Sequence, residues 1–148
     1  VDFVYCNMAL FGAREGLMLR RRWQQRDRDL GTSVLLGCFD PRWQGAATSG
    51  NTLRRALMAQ IIDLPADQAA DWRTRPDDCL FYGADILGGH KVYLATPLAR
   101  HREHQSNALL MDKVSPIRRM RYELRRERML AHYRNKIAAS PRLLVLAK

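Results

Sequence analysis

The chain has 148 residues, the size of one domain, and carries a formal net charge of +10 at pH 7. Hydrophobic residues make up 47% and charged residues 27%, a composition that supports a core and excludes a disordered tail. Its longest uninterrupted apolar runs are only a few residues, far short of the ~20 needed to cross a bilayer, so no transmembrane segment is expected.

The first predicted element is a basic amphipathic helix from about Met8 to Asp29, with Gly31 as its stop. Its apolar side would be formed by Leu10, Phe11, Leu17, Met18 and Trp23. Between residues 8 and 26 the segment is rich in arginine and holds a single acid, Glu15, as organellar transit peptides do. This N-terminal extension, residues 1–32, therefore points to mitochondria.

The middle of the chain, residues 33–114, is predicted to form a small α+β core. Short strands are predicted over Ser33–Phe39, Cys79–Tyr82 and Lys91–Ala95, the last two as a hairpin. Helices are predicted over Leu53–Ile62, from Pro65 toward Trp72, and from Thr96-Pro97 to Met111. The segments Ala46–Gly50 and Arg73–Asp78 are predicted to be loops.

The last part of the chain, residues 115–148, is predicted to be a long helix and a short apolar tail. Ser115 and Pro116 are typical of a helix start, and Ser140-Pro141 stops the helix after about Ala139. Its apolar anchors are Ile117, Met120, Leu124, Leu130, Tyr133 and Ile137. The sum is an α+β fold, mainly α: a small single domain with a long C-terminal Arg-rich helix, a few short strands and extended ends.

Arginine outnumbers lysine 21 to 4 and is clustered. GC-rich coding explains a bias toward arginine, but not the net charge, which acidic residues could have balanced. A guanidinium group fits phosphate or carboxylate bidentately and stacks on bases, so the clusters favour a polyanionic partner. The residues predicted to bind nucleic acid or another anionic partner are Arg20, Arg21, Arg22, Arg26, Arg118, Arg119, Arg121, Arg125, Arg126, Arg128 and Arg134.

A solvated helix with internal ion pairs is the alternative interpretation of the C-terminal arginines. In this interpretation Glu123 and Glu127 pair with neighbours on the same helix; Glu123 has Arg119 and Arg126 four and three residues away. Between Arg118 and Arg128, however, six arginines face two glutamates, which leaves a local charge of +4. This excess favours contact with an external anion such as RNA phosphate.

The cysteine, histidine and aspartate residues do not form a sequence pattern typical of a catalytic or metal-binding site. Cys6, Cys38 and Cys79 are odd in number and widely spaced, which predicts reduced thiols without a zinc site. His101 and His104 lack a companion ligand. The acidic pairs Asp77-Asp78 and Asp27/Asp29 are interpreted as charge balance for neighbouring arginines. The chain is therefore expected to be no enzyme and to need no cofactor or metal.

A short C-terminal pattern has a counterpart in a known family. His90-Lys91-Val92-Tyr93 with Pro97-Leu98, followed by residues 111–117, resembles the C-terminal tail of cytochrome c oxidase subunit 4. The resemblance covers less than a quarter of the chain, and the membrane helix that should precede it is absent because residues 76–89 contain three aspartates. The resemblance would place the chain in a respiratory complex.

Two functions follow as expectations. The first is a non-catalytic protein of the mitochondrial ribosome, on the matrix side, with rRNA and neighbouring proteins as partners. The second is a peripheral supernumerary subunit of a respiratory complex or ATP synthase, with arginines on acidic protein faces or cardiolipin. A stand-alone nucleic-acid-binding protein lacks a supporting motif. In none of these is the chain expected to act as a free monomer.

Overall fold

The structure is a computed structural model that describes residues 1–41, 45–73, 75–104 and 115–139. The strands are β1 Phe3–Gly12, β2 Gly16–Leu17, β3 Arg28–Gly31, β4 Asn51–Leu53 and β5 Lys91–Glu103. The helices are α1 Val34–Phe39, α2 Arg55–Ile62, α3 Ala66–Asp71, α4 Pro76–Ile86 and α5 Pro116–Ala138. Short 3₁₀ turns cover Arg22–Gln25 and Thr48–Gly50.

The fold is α/β, so the prediction of a mainly α fold with a few short strands is wrong. Of the described residues, 49% are helical and 26% lie in strands of one mixed five-stranded sheet. The strand order is β2-β1-β5-β3, and β4 pairs with the start of β1. In this order β1 and β5 form the centre of the sheet. These two strands run parallel to each other, and the other strands pair antiparallel to them.

The predicted N-terminal helix is replaced by β1, β2, a 3₁₀ turn and β3. From Met8 to Phe11 burial follows the two-residue period of a strand, since Met8 and Leu10 are buried whereas Ala9 and Phe11 are only partly buried. Gly12 has a φ of +100°, a conformation that favours glycine and ends the strand. The apolar residues taken for one side of a helix are thus distributed over a sheet.

Two predicted strands are helices. Ser33–Phe39 contains α1, and Cys79–Tyr82 lies inside α4, where every residue from Asp77 to Ile86 is buried. A helix that is buried all round has no exposed face, so a short apolar run such as Cys79–Tyr82 is easily taken for a strand. The predicted loop Arg73–Asp78 likewise includes the first turn of α4, and the predicted surface loop Ala46–Gly50 begins and ends with buried residues.

The helix predicted from Thr96-Pro97 is also wrong, because β5 continues through this point to Glu103. The pairing of β5 with β1 shifts register here, since Cys6 pairs with Leu94 but Asn7 pairs with Pro97. Proline has no N–H to donate, so a strand accommodates it at a bulge. The end of that predicted helix, at Met111, lies outside the described residues.

The predictions for α2, α3, β5 and α5 rest on local signals and are confirmed in outline. Helix α2 begins two residues later than predicted because Asn51–Leu53 pair with β1. The Ser115 hydroxyl accepts a hydrogen bond from the backbone N–H of Arg118 at 3.4 Å and caps α5. The predicted tail, residues 140–148, lies outside the described part.

The core lies between the sheet and the helices, with α4 at its centre in contact with α1, α2 and α5. Phe3 and Tyr5 of β1 stack at 5.9 Å between ring centroids, and Phe3 meets Phe81 of α4 at 6.4 Å. A Cβ at Gly83 would lie 2.9 Å from the Ile61 side chain, so glycine allows the close approach of α2 to α4. Helix α4 is thereby fixed against the sheet.

Candidate anion-binding interface

The arginines in the C-terminal half of α5 are paired with carboxylates. Arg125 contacts Asp71 at 3.2 Å and Arg128 contacts Asp67 at 2.6 Å, which joins α5 to α3. The remaining pairs lie within α5: Arg126 with Glu123 and Glu127, and Arg134 with Glu127, at 2.8, 3.3 and 3.7 Å. These arginines contribute to the packing of α5 and have little charge left for a partner.

The arginines at the start of α5 have a different environment. Every residue from Ser115 to Arg121 is exposed. Arg118, Arg119 and Arg121 form no ion pair with any residue that the structure describes. The helix therefore extends two turns beyond its packed part and carries three uncompensated positive charges.

The N-terminal arginine cluster, defined as Arg20, Arg21, Arg22, Arg26 and Arg28, is exposed throughout. Its guanidinium contacts in the described chain are to backbone carbonyls: Arg20 donates to Leu17 at 2.7 Å and Arg28 donates to Trp23 at 3.0 Å. None of the five forms an ion pair with a described carboxylate. The cluster thus keeps its full charge.

The two aspartates within this region are engaged elsewhere. The Asp27 carboxylate accepts the backbone N–H of Ala95 at 2.7 Å. Asp29 accepts the N–H of Gly31 at 2.8 Å and contacts the His90 ring at 2.6 Å. The Gly31 N–H, followed by His90, lowers the pKa of Asp29 below its usual range. Both acids hold β3 in place and leave the neighbouring arginines unneutralised.

A groove lies beside the cluster. One part, of about 410 Å³, is lined by Arg20, Arg21, Trp23 and Gly45 among others. An adjoining part of about 550 Å³ shares Leu19, Arg20 and Gln24 with it and reaches Asn7 on β1. We call these two adjoining pockets, which share lining residues, the arginine groove. It combines guanidinium donors with an indole ring.

Hydrogen bonds hold the backbone that lines the arginine groove. Asn7 is buried, and its side chain both accepts the N–H of Leu19 and donates to the Leu19 carbonyl, each at 3.0 Å. The Tyr93 hydroxyl donates to the Gln24 carbonyl at 2.8 Å. These bonds tie the segment that carries the cluster to the central strands, so the arginines project from an ordered backbone.

An acidic pair lies at the start of α4. Asp78 is fully buried, pairs with Arg75 at 3.0 Å and accepts the Tyr122 hydroxyl at 3.0 Å. Arg75 also lies over the Tyr122 ring, with its guanidinium carbon 4.8 Å from the ring centroid. Burial, followed by the negative charge of Asp78, raises the pKa of Tyr122. The sequence interpretation of Asp78 as charge balance for an arginine is consistent with this geometry.

Sequence reasoning interpreted Asp77, like Asp78, as charge balance for an arginine and did not predict it as a site residue. Asp77 is buried and forms no ion pair with a described residue. Burial raises the pKa of its carboxyl, whereas the backbone N–H groups of Asp77 and Asp78 and the charge of Arg75 act in the opposite direction. Asp77 and Phe81 share a face of α4, about 6 Å apart along the helix. Phe81 packs on Gly45, which lines the arginine groove. The signal was Pro76 followed by two acids, which is typical of a helix start.

The remaining candidate ligands are dispersed. His101 lies on β5 opposite Leu10, and the three cysteines are free thiols. Within the described ranges no group of three or more potential ligands surrounds a metal position. Among the same residues, no helix combines the length and the apolar content of a membrane span.

Comparison with known proteins adds no assignment: no protein family, curated protein or solved structure matches the chain.

Proposed function

We propose that this chain is a non-catalytic component of a mitochondrial assembly, in the first instance the ribosome, and that it binds RNA through the N-terminal arginine cluster. The observation that carries the proposal is the absence of any described carboxylate partner for the five exposed guanidinium groups. Closely spaced like charges repel one another, and a polyanion relieves that repulsion while releasing its own counterions.

The arginine groove suits a nucleic acid better than an acidic protein surface. Trp23 is partly exposed in the groove and packs edge-on against Tyr93 at 5.8 Å, so its indole is held in place next to Arg20 and Arg21. A fixed aromatic ring beside guanidinium groups supports stacking on an unpaired base with phosphate contacts on either side. Recognition would depend on shape and charge instead of base sequence.

Binding of a short structured RNA tests the proposal, measured by fluorescence anisotropy from about 50 to 200 mM salt. Arg21→Gln/Arg22→Gln/Arg26→Gln removes three exposed charges whose guanidinium groups form no hydrogen bond or ion pair with a described residue. We expect weaker binding and a log–log salt slope that is smaller by about 2 to 3. The matched control, Arg125→Gln/Arg128→Gln/Arg134→Gln, removes three ion-paired charges and should change the slope far less. Equal losses in both variants would reject a localised RNA interface.

Sedimentation of native organelle lysate separates the two assemblies. We expect the chain to migrate with a ribosomal peak that disappears after RNase treatment. Migration with a detergent-solubilised membrane complex, unchanged by RNase, would instead support the peripheral respiratory or ATP-synthase subunit and overturn the ribosomal proposal.

A second candidate function is supported by Asp77. Because a short turn reverses the chain between α4 and β5, α4 begins toward the side of the sheet where β1 and β5 end. Ligands of α/β sheets bind at that side. Asp77 is a buried carboxylate with a raised pKa, one helical turn from Phe81, which packs on Gly45 of the arginine groove. Such a carboxylate is suited to accept a proton from a hydroxyl of a phosphorylated small molecule.

Calorimetric titration with inorganic pyrophosphate tests this second candidate. We expect saturable binding that Arg20→Gln/Arg21→Gln abolishes and that Asp77→Asn retains, because Asp77 would act on the ligand and not hold its phosphates. Absence of saturable binding to the wild-type protein would reject the small-molecule site while leaving the RNA proposal untouched.

A further inference from the structure

Helix α5 has two apolar faces, and one of them is uncovered. Met129, Leu130 and Tyr133 are fully buried against the core. Ile117, Met120 and Leu124 are 60%, 58% and 60% exposed. At 3.6 residues per turn these three side chains form one stripe, roughly opposite the buried face. We call Ile117, Met120 and Leu124 the exposed stripe.

The first two turns of α5, which carry most of the exposed stripe, have an excess of positive charge. Arg118, Arg119 and Arg121 have no carboxylate partner among the described residues. The two acids of this helix are compensated, since Glu123 pairs with Arg126, and Glu127 pairs with Arg126 and Arg134. At about 100° per residue, Arg121 borders the exposed stripe, whereas Arg118 and Arg119 lie farther round the helix. A helix end that combines an apolar stripe with uncompensated positive charge is complementary to a surface that is apolar inside and anionic at its boundary.

We propose that the first turns of α5 dock on the surface of an anionic lipid bilayer. The exposed stripe enters the boundary between headgroups and acyl chains, and Arg121 beside it contacts lipid phosphates. Arg118 and Arg119 add to the electrostatic attraction of the anionic surface. The helix lies in the plane of the interface and does not span it. The proposal goes beyond RNA binding, because it uses a different element and does not require the N-terminal arginine cluster.

The alternative occupants fit this surface less well. RNA phosphates would pair with the arginines but would leave the exposed stripe in water. A second copy of the chain would cover three side chains on two helical turns, a far smaller area than the ~800 Å² per partner of a stable dimer. Glu127 is the next residue on the same side of the helix, so the exposed stripe does not continue into the longer apolar seam that a coiled-coil dimer requires.

Flotation with liposomes tests the proposal, using RNase-treated protein. The vesicles are phosphatidylcholine alone, or phosphatidylcholine with cardiolipin. We expect binding to the anionic vesicles and little to the neutral ones. Met120→Gln/Leu124→Gln should reduce partitioning at least tenfold, and each of Arg118→Gln, Arg119→Gln and Arg121→Gln by about fivefold. The substituted side chains are exposed, so circular dichroism should confirm an unchanged fold.

The matched apolar control is Ile62→Ser on α2, because Ile62 is 62% exposed but lies outside the exposed stripe. It should bind anionic vesicles as the wild type does. Loss of binding in the arginine variants with full binding by Met120→Gln/Leu124→Gln would show adsorption by charge alone and overturn docking of the stripe. Three other results would also overturn membrane docking. They are equal binding to neutral and anionic vesicles, no binding to either kind of vesicle, and dimerisation in ultracentrifugation that depends on the exposed stripe.

Discussion

Lys91 and Asp85 form an ion pair inside the protein, with Lys91 fully buried and Asp85 only 4% exposed. The Lys91 ammonium group also lies 4.1 Å from the centroid of the Phe81 ring, and the Ser33 hydroxyl donates to the Asp85 carboxylate. Burial raises the pKa of Asp85 and lowers that of Lys91, although each charge stabilises the other. The pair joins α1, α4 and β5 at the centre of the fold.

Removing one partner of this pair should destabilise the protein strongly. Lys91→Met leaves an uncompensated carboxylate in the core, and we expect a loss of about 3–5 kcal/mol in the free energy of unfolding, measured in urea. The double variant Lys91→Met/Asp85→Leu removes both charges and should lose less than the sum of the two single variants. Strictly additive losses would contradict an interacting buried pair.

Two buried tyrosines should respond differently to loss of their hydroxyl groups. The Tyr133 hydroxyl donates to the Ile61 carbonyl at 2.9 Å, whereas the Tyr5 hydroxyl has no hydrogen-bond partner in the described chain. Tyr133→Phe should therefore cost about 1 kcal/mol of unfolding free energy, and Tyr5→Phe should be neutral or stabilising. Each variant is the other's control, because both rings are fully buried. A larger loss for Tyr5→Phe would contradict the assignment of partners.

The success of sequence reasoning differs between elements for a physical reason. Helix α5 was predicted with its bounds because a cap, a proline and apolar spacing are local signals. Strand β1 was missed because Cys6, Asn7 and Met8 are all buried, which interrupts the alternation that marks a half-exposed strand. Helix α4 was missed because it is buried on every side, a tertiary property, so its sequence lacks the alternation of an apolar and an exposed polar face that marks a surface helix.

The candidate site was predictable in its charge but not in its pairing. Clustering along the chain showed where arginines accumulate. Asp67 and Asp71 lie more than fifty residues before Arg128 and Arg125, so their ion pairs depend on the docking of α3 on α5. Folding therefore divides the predicted binding residues into a paired group and an unpaired group, which spacing alone could not do.

The contacts of α5 with α2 and α3 should weaken in acid. Hydrogen bonds from Lys136 and Arg128 lower the pKa values of Asp63 and Asp67, respectively. A lowered folded-state pKa contributes stability above the unfolded-state value near 3.9, and this stability is lost as pH falls through the folded-state value. We expect the urea concentration at the unfolding midpoint to decrease when the pH is lowered below about 4. The variant Lys136→Met/Arg128→Met should lose part of this pH dependence. An identical acid response in this variant would contradict the assignment.

Asn7 should connect the stability of the sheet to the order of the arginine groove. Besides its two bonds to Leu19, its side-chain oxygen accepts the backbone N–H of Met8 at 2.8 Å. Asn7→Ala leaves the backbone groups of Leu19 unpaired, at a cost of about 1–3 kcal/mol. The segment that carries Arg20 and Arg21 would then separate from β1 more often, so amide hydrogen exchange over residues 18–21 should accelerate.

The same variant should weaken RNA binding without removing a charge. Its affinity should fall while the salt slope stays close to that of the wild type, because the number of phosphate contacts is unchanged. Ala9→Ser, on the same strand but outside the groove, is the control for a general effect on β1. Faster exchange at residues 18–21 with undiminished RNA affinity would show that the arginines bind without an ordered groove, and the RNA contact would then depend on charge density alone.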